Sequence, residues 1–572
     1  MRKILSLFVI LVVVEGCFDQ NKQAESILRH YLDRKTSLIR NYSKESSLAY
    51  WNASVSGKDS DYQKLIDLEL DFSKSNNGSL RNFNPDHFST ITKNVFNNEE
   101  DFELLRKLKD SGLITDTLQY RQLIYLYHTF ISTQIESEKY KKLLESEVKL
   151  SNAASSVRFE FEGKRYGAGK IDSLRKSTNS SLVLEKIAKS YQEACKSIAP
   201  DIIKLVNDRN EIAASFGFSD YYHLLLEERD QSPEKIRSLI AEIELKTRDR
   251  FFEVKKSIDK KLASRFGISV RELRPWHYSD LKTSCLPKRS IPELDSLLAP
   301  TDPIKRASGF FSGIGLPIQD VIDKSELRKG KTDVTVVIDF NTDIRIIAGI
   351  SNNLEGLTKI LHEGSHATHY KNISADVPYL LKGPNLFIAE GIASYFSNMA
   401  YDSLWLGREV SCDEKAKRQI ALVCRYFHQV DQLFSIRKQM VFAEFEREIY
   451  TTPRQDLDLL WHDLNLKYLG INYPYEKGSC FWATNKYFTS LSCNVQNYIV
   501  AGIFAAQLKH TIDEKILNRN TLCLQDNKAV GKYLIDNLFK YGDLLPWETL
   551  VSISTGEALN SSYFINEMVG VK

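Results

Sequence analysis

His362, Glu363 and His366 stand in the order His-Glu-x-x-His, a spacing that suits a catalytic metal. Residues four apart on a helix lie one turn apart on the same face, so both imidazoles reach a single ion. Glu363 then sits beside the first ligand, positioned to take a proton from water. A catalytic zinc usually has three protein ligands and one open position. The residue that fits the third place is Glu390, 24 positions beyond His366 and the one acid in the apolar stretch LFIAEGIASYF. A carboxylate on an apolar helix face is costly without a compensating partner, and zinc supplies one. His369 shares a face with His362 and His366 but lies about 4.5 Å further along the axis, away from His362. It reads as a packed or supporting histidine. Asn372 stands six positions after His366, where the metzincin pattern needs a histidine, so that pattern is excluded.

Two helices must carry these groups. Leu354, Leu357, Ile360 and Leu361 mark the buried face of a helix over 354–370, with Asn352 or Asn353 as its N-cap. Pro378 and Pro384 end it, and a second helix begins near Leu386. Just upstream, two β-branched runs, 334–340 and 343–348, flank a short polar turn and predict a hairpin. Between about 20 and 330 the pattern is long and helical, notably over 118–159, 181–216 and 232–262. The stretch Gly167-Ala168-Gly169-Lys170 fails the phosphate-loop spacing, with Ile171 where a hydroxyl should follow, and is read as a turn.

Composition narrows the function classes. The 572 residues include 77 Lys and Arg against 74 Asp and Glu, a net charge of +3 with no concentrated basic surplus, so no nucleic-acid partner is expected. Only 26 Gly and 14 Pro are spread over the chain, which excludes low-complexity and collagen-like architectures. Arg2 and Lys3 precede an apolar run, 4–14, and then Glu15-Gly16-Cys17. This pattern predicts an export signal over 1–16, lipidation of Cys17 in a bacterial cell envelope and a polar tether over 17–29. An ordinary signal with an incidental cysteine and an uncleaved anchor are the alternatives. The lipid anchor is the expected membrane contact, because no later apolar run approaches the roughly 20 residues that span a bilayer. Eight cysteines show no CxxC spacing; Cys480 with Cys493, or Cys412 with Cys424, could pair in an oxidising compartment.

Taken in order, the segments VVIDFNTDIRI, LHEGSHATHY, VPYLLKGPN and AEGIASYF resemble the angiotensin-converting-enzyme-like family of gluzincin peptidases, particularly its bacterial members. AYWNASVSG near residue 50, LVNDRNEIAASFGFSDYY at 205–222 and RPWHYSD at 274–280 are similar as well, so the resemblance covers most of 30–515. It implies a mainly α, two-lobed helical zincin over 30–572, with a deep central cleft and a small β-hairpin beside the zinc helix. It implies one zinc ion on His362, His366 and Glu390, Glu363 as general base, and short peptides as substrates of a peptidyl-dipeptidase or oligopeptidase. Lys486 matches a family lysine that contacts the substrate's terminal carboxylate, and Tyr498 a tyrosine that stabilises the oxyanion. The family's histidine two residues beyond that lysine is Phe488 here, and a further carboxylate-binding tyrosine is Val495. These departures bear on catalytic efficiency, so a catalytically weak peptide-binding lipoprotein on the same scaffold is the second expectation.

Overall fold

Apolar residues at three- and four-residue spacing build a mainly helical chain, and two short antiparallel hairpins supply the named strands among the described residues. The computed structural model describes residues 2–58, 99–131, 158–278, 298–330, 332–409, 413–483, 486–488, 492–517 and 526–570, with isolated positions between. In chain order its main helices begin with α1 (Arg2–Ser56), α2 (Glu99–Ser111) and α3 (Thr117–Ile131). The hairpin β1 (Phe159–Phe161) and β2 (Lys164–Tyr166) follows, then α4 (Ala168–Ser177), α5 (Ser181–Ser215), α6 (Tyr221–Glu228), α7 (Pro233–Phe266) and α8 (Pro303–Gly313). The second hairpin, β3 (Val334–Asp339) and β4 (Asp343–Ile347), leads into α9 (Leu354–Lys371) and α10 (Leu386–Ser397). The chain then runs through α11 (Glu414–Thr451), α12 (Leu457–Leu469), α13 (Val495–Lys515), α14 (Lys528–Asn537), α15 (Trp547–Thr555) and α16 (Ser562–Val569).

The long middle helices start and stop where local chemistry dictates. Ser180 and Ser232 accept from Val183 N and Lys235 N at the starts of α5 and α7, satisfying otherwise orphaned donors. Gly267, with φ of 65°, ends α7 in the left-handed conformation that a side chain disfavours. Arg437 on α11 is fully buried and ties three helices, donating to Glu244 O and Thr247 Oγ1 of α7 and to Tyr468 O of α12.

Two expectations change. Of the helix read over 118–159, α3 is described to Ile131 and the described positions 143, 146, 147, 149, 150 and 153 are also helical, whereas Phe159 belongs to β1; the rest of 132–157 is outside the described residues. Gly167 to Lys170 is not a turn. Gly167 caps α4, because Ile171 and Leu174 continue an apolar helical spacing that buries Ile171. The tether expected over 17–29 lies within α1, and its polar composition hides a buried stripe. Ala24, Leu28, Tyr31 and Leu32 pack on Leu105 and Leu108 of α2 and Leu123, Leu126 and Phe130 of α3. Glu25 Oε1 also accepts from Thr115 N, Asp116 N and Thr115 Oγ1. Residues 24–32 are therefore packed on α2 and α3. Cys17 falls on α1 among residues whose side chains are not described. Among the described residues, no helix is long and apolar enough to cross a membrane. Cys480 and Cys493 carry unbridged thiols, as does Cys424, while Cys412 lies outside the described residues.

At the centre, α10 packs against both α9 and α13. Gly391 makes the second contact possible: a Cβ there would stand 2.6 Å from Phe504 Cδ1 and 3.2 Å from Ala501 O. Gly391→Ala should therefore push α10 off α13 and destabilise the chain by about 1–3 kcal/mol, read as a lowered denaturation midpoint. An unchanged midpoint would refute so close an approach.

Candidate metal centre

The first metal helix is fixed at its start. Asn353 Oδ1 accepts from Gly356 N at 2.9 Å, and a Cβ on Gly356 would meet Ser351 O at 1.9 Å, so only glycine fits that turn. Leu354, Leu357, Ile360 and Leu361 are buried as their spacing predicts, and from Glu363 to His369 the helix is buried on every side. The second helix opens with Asn385 Oδ1 accepting from Phe387 N, and it lies against α9.

This packing brings together the three donors proposed from the sequence. His362 Nε2 and His366 Nε2 are 3.2 Å apart. Glu390 presents Oε2 at 3.7 Å from His362 Nε2 and Oε1 at 3.8 Å from His366 Nε2. Two ligand atoms about 2.1 Å from a tetrahedral ion are separated by about 3.4 Å, so these spacings leave room for one zinc between them. The set is half-buried, with side-chain exposures of 30%, 10% and 15% for His362, His366 and Glu390. Burial, with His362 and His369 nearby, holds the His366 imidazole well below its ordinary pKa. It is therefore neutral, the form in which a histidine binds metal. His366 Nδ1 makes no hydrogen bond, so packing orients the ring, including a stacked Tyr370 at 6.2 Å. Two imidazoles and one carboxylate at this spacing fit a zinc ion.

His369 behaves as a packed residue. It is buried, stacks on Phe539 at 4.8 Å, and burial pushes its pKa to about 3. Neither of its ring nitrogens is hydrogen-bonded.

Glu363 lies between α9 and the hairpin. Its Oε2 accepts from Thr335 Oγ1 at 2.7 Å, and the same hydroxyl is 2.9 Å from the Glu363 carbonyl oxygen. Sequence reading missed Thr335. On β3, Val334, Val336 and Ile338 bury against Tyr50 and Trp51 of α1. Thr335 and Val337 occupy the other face of the strand. A hydroxyl on that face, directly before a helix carrying the metal motif, was the available signal.

The remaining expected residues lie further along the chain. Tyr498 is half-buried in the first turn of α13, one turn before Ala501, whose carbonyl approaches Gly391. Lys486 opens the 3-10 turn Lys486–Phe488, and its side chain is outside what is described. Phe488 is buried among Phe442, Phe445 and Trp461, with its ring 4.9 Å from that of Phe445, and Val495 is buried as well. At both positions a core side chain offers no polar group. Compared with models of protein families and with curated proteins, the chain finds no match.

Proposed function

We propose that this protein is a zinc-dependent metallopeptidase that hydrolyses short peptides, of the angiotensin-converting-enzyme-like gluzincin type. Two helical lobes would flank a deep cleft, with His362, His366 and Glu390 holding one zinc ion at its base. When bound, zinc polarises the scissile carbonyl and lowers the pKa of the attacking water. Glu363 takes the proton from that water and passes it to the leaving amine. Tyr498 donates a hydrogen bond to the developing oxyanion, and Lys486 pairs with the substrate's terminal carboxylate. Strand β3 pairs with the peptide backbone, which tolerates varied side chains. Export and lipidation at Cys17 would hold the enzyme in a bacterial envelope, with no nucleic acid among its partners.

The observation that carries this reading is the convergence of His362 Nε2, His366 Nε2 and the Glu390 carboxylate, 3.2–3.8 Å from one another, with Glu363 on the same helix as the two histidines. The test is hydrolysis of a panel of short fluorogenic peptides by zinc-loaded protein, with and without a chelator, and mass spectrometry of the products. Chelator-sensitive cleavage supports the proposal, and absence of cleavage in fully zinc-loaded protein sinks it. Product masses also separate dipeptide release from internal cleavage. Phe488 and Val495 favour a second reading, a peptide-binding lipoprotein with weak turnover, since neither offers a polar group to a substrate. Saturable peptide binding to zinc-loaded protein without product would favour it.

A further inference from the structure

A glutamate next to a metal ligand does not point at the metal by default. Adjacent residues on a helix are about 100° apart around the axis, so Glu363 leaves the face shared by His362 and His366. Its carboxyl needs support from outside the helix, and β3 provides a donor. Thr335 Oγ1 lies 2.7 Å from Glu363 Oε2 and 2.9 Å from the Glu363 carbonyl oxygen, so its single proton is in reach of both acceptors, with the shorter contact to the side-chain carboxyl. The grip comes from a stiff part of the molecule. Thr335 pairs with Ile346 inside the β3–β4 ladder, and the far face of the strand is covered by Tyr50 and Trp51. A β-branched side chain has restricted χ1 freedom, which fixes the direction of the hydroxyl.

We propose that Thr335 is a positioning residue for the peptidase reaction: its hydroxyl clamps the Glu363 carboxyl from the hairpin and holds it where water is deprotonated. This rests on the peptidase reading above. Without the clamp, a long and flexible glutamate side chain spends less time in the productive orientation, which slows the chemical step while leaving peptide binding and the zinc ligands untouched. A threonine that only fills space between strand and helix would show no such division.

The variants are Thr335→Val, which keeps the branched shape and removes the hydroxyl, and Thr335→Ser, which restores it. In zinc-loaded protein, the valine variant should lose about 10- to 100-fold in kcat, as expected for a lost hydrogen bond to a charged group, with KM and zinc content unchanged. The serine variant should stay within about threefold of the original kcat. Thr335→Ala gives the same comparison if valine lowers the melting temperature. A second measurement does not depend on activity: crystal structures of the zinc-free variants should find the Glu363 carboxyl displaced with valine and retained with serine. Valine protein with undiminished kcat, or with Glu363 unmoved, overturns the proposal. If the unsubstituted protein cleaves no peptide but valine still displaces the carboxyl, the clamp stands as a contact and the peptidase reading falls.

Discussion

Glu363→Gln is expected to leave zinc bound and to lower kcat by about 1000-fold or more, within the upper range for removing a general base. Glutamine matches glutamate in shape, and its amide oxygen can still accept from Thr335, so the side chain has reason to stay in place. The amide does not take up a proton at neutral pH, so only the transfer step is lost. The three proposed metal donors are His362, His366 and Glu390, and none of their mutual spacings involves the Glu363 carboxyl. Equal losses in kcat and kcat/KM, with full zinc content by metal analysis, are therefore the expected signature. Turnover within about tenfold of the original protein would place the base elsewhere.

How much of this centre could be read beforehand depends on the distance over which each relationship acts. His362, Glu363 and His366 are related by a single helical turn, a geometry that spacing alone conveys. Glu390 was legible because an acid in LFIAEGIASYF contradicts its neighbours, and its position opposite the histidines follows from α10 lying on α9. Thr335 gave no comparable contradiction. Threonine is an ordinary strand former, and its contact with Glu363 spans 28 residues and two kinds of element. The packing of residues 24–32 was obscured for a different reason. In FDQNKQAES polar residues outnumber apolar ones, yet Ala24 opens a stripe that continues through Leu28 and Tyr31 onto α2 and α3. That partner surface is about 80–100 residues away in sequence, beyond any local window. The Gly167–Lys170 stretch was misread because glycine content suggested a turn, whereas the apolar residues after it decided the helix.

Glu390→Ala should weaken zinc binding by more than about 100-fold, beyond what loss of an outer partner to a ligand typically costs. The carboxylate is the only anionic member of the donor set, and it spans the two histidines, with one oxygen near each Nε2. Removing it leaves two imidazoles 3.2 Å apart, which retain neither the carboxylate charge nor the third corner of a tetrahedral site. The consequence is visible without any substrate. A ligand at about 1000 times its dissociation constant stabilises the folded state by about 4.1 kcal/mol, so zinc should raise the melting temperature of the original protein clearly. In Glu390→Ala the same zinc concentration should give little or no shift, while the zinc-free melting temperatures stay similar, because an alanine on α10 preserves the helix. Gly391, the next residue, supplies the contrast: Gly391→Ala lowers the zinc-free stability through its clash with Phe504 and leaves the donor atoms in the chain. A Glu390→Ala protein that still gains the full zinc-dependent shift would mean that the ion is held by other groups, and the assignment of the third ligand would be lost.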